Sequence, residues 1–176
     1  MDCIYVGIEY SAPVFYDPEI LEFYAVDNYE NKYHKYCKLK KNNLRKNINN
    51  FKYKNNTLKI KNNLFDTTEI FNLYDEKYIL YEFIKWIGLR KRIIFYNPTI
   101  YNIFIKRIHY YNIKINNYEI IILTDIIIKE KKKYVKLQEA LHLYKVPHKI
   151  INKLESKIKY MKKLCFHTHD ERFHSF

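Results

Sequence analysis

The sequence predicts a single α/β domain built around a mixed sheet. Three short apolar runs rich in β-formers fill the first forty residues, and turn signals separate them. Two further runs follow, each set between stretches with the i, i+3, i+4 spacing of amphipathic helices. Three strands followed by alternating helix and strand give a sheet with both antiparallel and parallel neighbours, covered by helices. The chain of 176 residues is long enough for one domain with a buried core, and 48% hydrophobic against 29% charged residues is a globular balance.

The first strand is expected over Cys3–Ile8 and the second over Ile20–Val26, with Asp17-Pro18 turning the chain between them. Lys32–Cys37 alternates Tyr33 and Tyr36 with polar residues, after a turn at Asn28–Asn31. Lys40–Asn63 then changes character. It is mostly Lys and Asn with isolated Leu44, Ile48, Phe51 and Leu58, and reads as an exposed loop or insertion, or as an arm that follows phosphates. Asp66-Thr67-Thr68-Glu69 has the form of a capping box, so a helix should start there, carry Leu73, Leu80, Phe83, Ile84 and Ile87 on one face, and stop at Gly88.

Arg92–Tyr96 reads as a buried strand, and Asn97-Pro98 as the turn into a second helix with Ile100, Ile103, Phe104, Ile108 and Tyr111 on one side. Glu119–Leu123 is the fifth strand, with a strand running on through Ile128 as the longer alternative. A third helix is marked by Leu137, Ala140, Leu141 and Tyr144 before Pro147. A fourth is marked by Ile151, Leu154, Ile158, Met161 and Cys165. Residues 1–164 form the predicted domain, and residues 165–176 a polar tail expected to be loosely packed.

Residue choice is skewed. There are 2 glycines and 4 prolines against 19 tyrosines and 11 phenylalanines, and Lys, Asn and Ile recur throughout, as drift toward A/T-rich codons would produce. The net charge of +13 favours a polyanionic partner, because lysine and arginine release counterions from phosphates. Tyr33, Tyr36, Phe51 and Tyr53 lie among lysines, as residues that stack on single-stranded bases would. Cys3, Cys37 and Cys165 have neither metal-ligand spacing nor a disulfide pattern. No apolar run is long enough to span a membrane, and Met1-Asp2-Cys3 does not begin a secretory signal, so a cytoplasmic protein is expected.

Five segments stand out for chemistry. Tyr5-Val6-Gly7-Ile8-Glu9-Tyr10-Ser11 closes the first strand on an acid, and Ile20-Leu21-Glu22-Phe23-Tyr24-Ala25-Val26 makes the second. Tyr96-Asn97-Pro98-Thr99-Ile100-Tyr101 opens the second helix, Thr124-Asp125 follows the fifth strand, and Val146-Pro147-His148 precedes the last helix with Lys153 five residues on. This succession resembles the DnaQ-like (DEDD, ribonuclease H-like) 3′–5′ exonuclease domain, especially the epsilon-type proofreading subunits of bacterial DNA polymerase III. The resemblance runs from about Cys3 to Leu164 and omits the Lys/Asn-rich segment.

The resemblance implies a ribonuclease H-like fold and a place for each motif. Glu9 matches the acid of the family's Asp-x-Glu, with Gly7 in place of the aspartate. Asn97 matches the asparagine of the His-Asn-x-x-Phe-Asp motif, with Tyr101 in place of its aspartate. Asp125 matches a structural acid. His148 matches the general base, with Lys153 where the last aspartate would stand. In the family such carboxylates hold two Mg or Mn ions about 4 Å apart, which activate water and steady the charge on the scissile phosphate. With Gly7, Tyr101 and Lys153 substituted, Glu9 and His148 remain as catalytic remnants and Asn97 as a supporting residue. Metal-dependent activity should then be weak or absent. Each remnant also has a plain structural reading: Glu9 as an exposed acid, His148 as a helix-start residue, Tyr101 as a packed aromatic.

His167-Thr168-His169-Asp170-Glu171 with His174 offers imidazoles to a transition metal but lacks fixed spacing, and reads as a frayed tail. Two functions follow. One is a degenerate exonuclease, nominally a proofreading subunit of a replicative polymerase. The other is a non-catalytic scaffold that holds a single-stranded 3′ end or docks on a polymerase subunit, or a basic ribonucleoprotein component.

Overall fold

The computed structural model describes residues 3–10, 18–38, 51–54, 57–60, 63–66, 73–90, 92–149, 151 and 153–173. Five strands form one mixed sheet in the order β3-β2-β1-β7-β8. They are β1 (Cys3–Tyr10), β2 (Ile20–Asp27), β3 (Lys32–Tyr36), β7 (Arg92–Phe95) and β8 (Glu119–Ile122). β1 pairs antiparallel with β2, and β2 antiparallel with β3. On its other side β1 runs parallel to β7, which runs parallel to β8. Each expected strand is present to within a few residues; Cys37 leaves β3 to form an isolated bridge with Tyr74.

Helices cover both faces of the sheet, and the two-residue alternation of β1 shows how. Ile4, Val6 and Ile8 join a core with α1 (Glu76–Ile87) and α2 (Pro98–Tyr110). Cys3 and Tyr5 join a second core with α3 (Leu123–Lys131), α4 (Leu137–Leu143) and α5 (Leu154–Cys165). Covering on both faces explains why β1 and β2 read as continuous apolar runs rather than alternating ones. α1 ends at Gly88, whose φ of 58° suits glycine, and its N–H bonds back to the Ile84 carbonyl. α2 is capped by the Asn97 side chain, which accepts from the Ile100 N–H at 3.0 Å, with Pro98 just inside.

A buried ion pair ties the first core together. Arg107 of α2 is fully buried and grips Glu76, the first residue of α1, through Nε to Oε1 at 2.8 Å and Nη2 to Oε2 at 2.5 Å. The Glu76 carboxylate also accepts from the Ile20 N–H and the Tyr111 hydroxyl. Two helices and the start of β2 thereby meet on one carboxylate.

Four expectations give way. The segment Leu123–Ile128 after β8 does not extend the strand. It turns into α3 at Leu123, where Leu123, Thr124, Ile126 and Ile127 are buried while Asp125 and Ile128 face out, a helical pattern too short to be read from the sequence. The helix expected from Asp66 starts instead at Glu76, because Asp66 ends a strand and pairs with Thr57. Thr67, Thr68 and Glu69 lie outside the described residues.

The segment expected to be a loop contains β4 (Phe51–Lys54) and β5 (Thr57–Ile60), which with β6 (Asn63–Asp66) make a separate antiparallel sheet. The ends of this excursion are closed by the Lys38 N–H bonding to the Tyr74 carbonyl at 2.9 Å. Its stretch Lys40–Asn50 lies outside the described residues.

The tail is packed as far as it is described. Cys165 and Phe173 are buried in the second core, and Glu171–Phe173 form a 3-10 turn. Asp170 clasps Arg172, whose carbonyl accepts from Arg92, so the tail is pinned to β7. His174 lies outside the described residues. Among the described residues no helix is long and apolar enough to cross a membrane.

Candidate functional site

β1 and β7 are parallel neighbours, so their carboxyl ends open on the same side, where α/β sheets generally form their clefts. Glu9 lies near the end of β1 and Asn97 just beyond β7. Between them is a cleft of about 290 Å³ walled by α5 and by the segment leading into α4. Gly7, Glu9 and Asn97 line it, together with Tyr96, Tyr134, Lys136 and Lys157.

The alternation of β1 puts residues 3, 5, 7 and 9 on the α5 side. At Gly7 that side is occupied by two side chains that wall the cleft. A Cβ added there would lie 2.6 Å from Ile158 Cδ1 and 2.7 Å from Leu154 Cδ1, closer than side chains pack. Leu154 and Ile158 are both buried in the second core. An aspartate at this position would have to displace two apolar side chains.

Glu9 is only 6% exposed, and the Lys157 ammonium donates to its Oε1. A mostly buried carboxylate needs such a partner, because desolvation penalises its charge. Asn97 spends its side-chain oxygen on capping α2. Tyr96 donates from its hydroxyl to the Val135 carbonyl at 2.8 Å, which holds the segment before α4 against the cleft; burial raises its phenol well above the ordinary value.

The remaining expected residues stand elsewhere. Tyr101 packs on Phe95 with ring centroids 5.6 Å apart, among the apolar residues of the first core. His148 directs Nδ1 to the Val146 carbonyl at 2.9 Å, a contact that places a proton on that nitrogen, and its ring lies edge-on to Tyr160. Lys153 is exposed at the N-cap of α5. None of the three is among the residues lining the cleft. Asp125 is exposed in the first turn of α3, where the helix dipole favours an acid.

Lys157 was not singled out by sequence, although it was legible. It lies three residues after Leu154 and four before Met161, on the flank of the face that α5 turns to the sheet. Lys153, one turn earlier, falls short of the cleft.

A pair of divalent cations does not fit these residues. Among the described lining residues Glu9 is the one carboxylate; the Lys157 ammonium engages it, and Lys136 also lines the cleft. Among the described residues no three His, Cys, Asp or Glu side chains gather closely enough to hold a metal ion. Hard cations take several converging oxygens, and the cleft presents one carboxylate already engaged. What it offers is a shallow, net positive seat edged with tyrosines. No protein-family model matches the chain, and no curated protein matches it.

Proposed function

We propose that this protein is a degenerate DnaQ-like domain that has lost two-metal hydrolysis and uses its cleft to seat an end of single-stranded nucleic acid. The observation that carries this reading is the filling of the Gly7 position by Leu154 and Ile158, beside a Glu9 engaged by Lys157. Filling and pairing together leave a positively edged surface where a carboxylate cluster would be needed to hold metal. The strand order β3-β2-β1-β7-β8, antiparallel on one side of β1 and parallel on the other, is compatible with a ribonuclease H-like fold. Lys136 and Lys157 supply ammonium groups for phosphate, Tyr96 and Tyr134 supply rings for bases, and the net charge of +13 supplies attraction at a distance. Descent from a proofreading subunit would place such a protein beside a replicative polymerase.

The test is a labelled single strand incubated with the protein in magnesium and in EDTA. Binding should be the same in both, and for two or three phosphate contacts should weaken roughly tenfold between about 50 and about 200 mM salt. No shortening of the 3′ end should occur. Magnesium-dependent shortening that vanishes in Glu9→Ala would replace this reading with that of an active exonuclease.

A further inference from the structure

A second cationic surface lies away from the cleft, on the outer edge of the sheet. β3 is an edge strand, and α1 runs beside it. Between them is a groove of about 530 Å³ with Lys32 and Lys35 along one wall and Tyr78, Glu82, Lys85 and Trp86 along the other. Tyr78, Glu82 and Trp86 are four residues apart and so share one ridge of the helix.

Aromatic rings mark this ridge from end to end. Tyr74, just before α1, stacks on Tyr78 with centroids 5.3 Å apart and planes within 22°. Both are about half exposed, at 49% and 48%, so their faces are not used up in a core. Lys35 Nζ stands 4.9 Å from the Tyr74 ring. At the far end the Arg90 guanidinium lies 4.8 Å from the Trp86 ring.

Charge decides what such a surface fits. Glu82 is engaged by Lys85, and Lys32 by Glu155, whereas Lys35 has no carboxylate partner among the described residues. Lys32 also lines a groove on the opposite face of the sheet, where Lys159, Lys162 and Lys163 gather along α5 beside Glu30 and Glu155. These acids engage Lys162 and Lys32 and leave the lysines in excess. The positive surface therefore continues around the β3 edge. Stacked, half-exposed rings beside ammonium groups suit a chain of bases and phosphates.

We infer that the groove between β3 and α1 is a track for single-stranded nucleic acid. Bases stack on the half-exposed rings of Tyr74 and Tyr78, and phosphates meet Lys35 and Lys85. The track rests on the reading of this protein as a nucleic-acid binder but uses none of the cleft residues, so the two fail separately.

The experiment measures binding of fluorescent oligo(dT) by anisotropy to the full chain and to two double variants. One is Tyr74→Ala with Tyr78→Ala, and the other is Tyr134→Ala with Lys136→Ala in the cleft. Loss of stacking should weaken binding by the groove variant about tenfold or more, with an unchanged circular dichroism melt. Tyr78→Phe, which keeps the ring, should bind as the unaltered protein does. Ultraviolet cross-linking should place oligo(dT) on the peptide containing Tyr74 to Trp86. If the unaltered protein does not bind, the nucleic-acid reading falls and the track with it. If it binds, but only the cleft variant weakens and the cross-links fall on Tyr96 or Tyr134, the track is overturned and the cleft reading stands.

Discussion

Leu154 Cδ1 occupies the space that a side chain at position 7 would need, 2.7 Å from the point where its Cβ would stand. Gly7 and Leu154 are therefore a matched pair, and the match sets a first prediction. Gly7→Ala gains about 0.5–1 kcal/mol of strand propensity but must push aside the Leu154 and Ile158 side-chain ends beside the cleft, which costs up to about 1–3 kcal/mol. The expected net is a loss of about 1 kcal/mol, read from urea denaturation. Gly7→Asp should lose more, because it also drives a carboxylate against Leu154 and Ile158. Calorimetric titration of that variant with magnesium should show no two-site binding.

The Glu9–Lys157 pair should be measurably coupled. Lys157 is about one-third exposed while Glu9 is largely covered, so solvent screening is partial. Glu9→Gln, Lys157→Ala and the double variant should give a coupling energy of about 1 kcal/mol in denaturant melts. A coupling near zero would mean that the ammonium does not hold the acid.

Removing one member of the Arg107–Glu76 pair should be far more costly. Neither side chain has appreciable solvent contact, so Arg107→Ala strands a carboxylate in the core, at about 3–5 kcal/mol. The double variant Glu76→Leu with Arg107→Met should recover much of that loss, because apolar replacement of both partners leaves no buried charge. The comparison of their urea midpoints checks it.

Acid should loosen the β2–β3 turn. Burial disfavours the Asp27 carboxylate, but hydrogen bonds from the Asn31 side chain and N–H, from Arg90 and from the Tyr29 N–H outweigh it and hold its pKa below the ordinary value. The hydrogen bond from Arg92 does the same for Glu119, and that from Lys32 for Glu155. A depressed carboxyl pKa means that the unfolded chain takes up protons first. The stabilisation is complete above the unfolded values near 4 and is lost as pH falls through the folded ones. The urea midpoint should drop between about pH 5 and about pH 3, and drop less in Asp27→Asn.

The strands of the main sheet were legible because β1, β2, β7 and β8 are short apolar runs bounded by turn residues, and α2 and α5 because their apolar spacing is regular. What escaped sequence reading depends on distant partners. Leu123–Ile128 is mostly apolar, broken only by Thr124-Asp125, and is too short to show a period until burial assigns one. Asp66 has the right neighbours for a capping box, yet pairing with Thr57 takes it into a strand. Phe173 is a lone apolar residue among polar ones, and only the second core makes it an anchor. In the site, Gly7 could be read as a missing ligand, but its filling by Leu154 and Ile158 is visible only in three dimensions. Lys157 and Tyr134 enter the cleft because α5 and the segment before α4 converge on β1.

The central place of β1 also governs how the chain must come together in time. β2 follows β1 directly, but the neighbour on the other edge, β7, is made of residues 92 to 95. During synthesis an apolar strand with one bare edge must wait until residues 92 to 95 have left the ribosome, and bare apolar edges recruit other chains. The Lys38–Tyr74 hydrogen bond shortens that wait in entropic terms. Once Cys37 and Tyr74 meet, the excursion closes as a loop of its own, and β7 searches for β1 at the end of a much shorter effective tether. The most vulnerable moment of this protein's life is therefore the interval before residue 95 emerges.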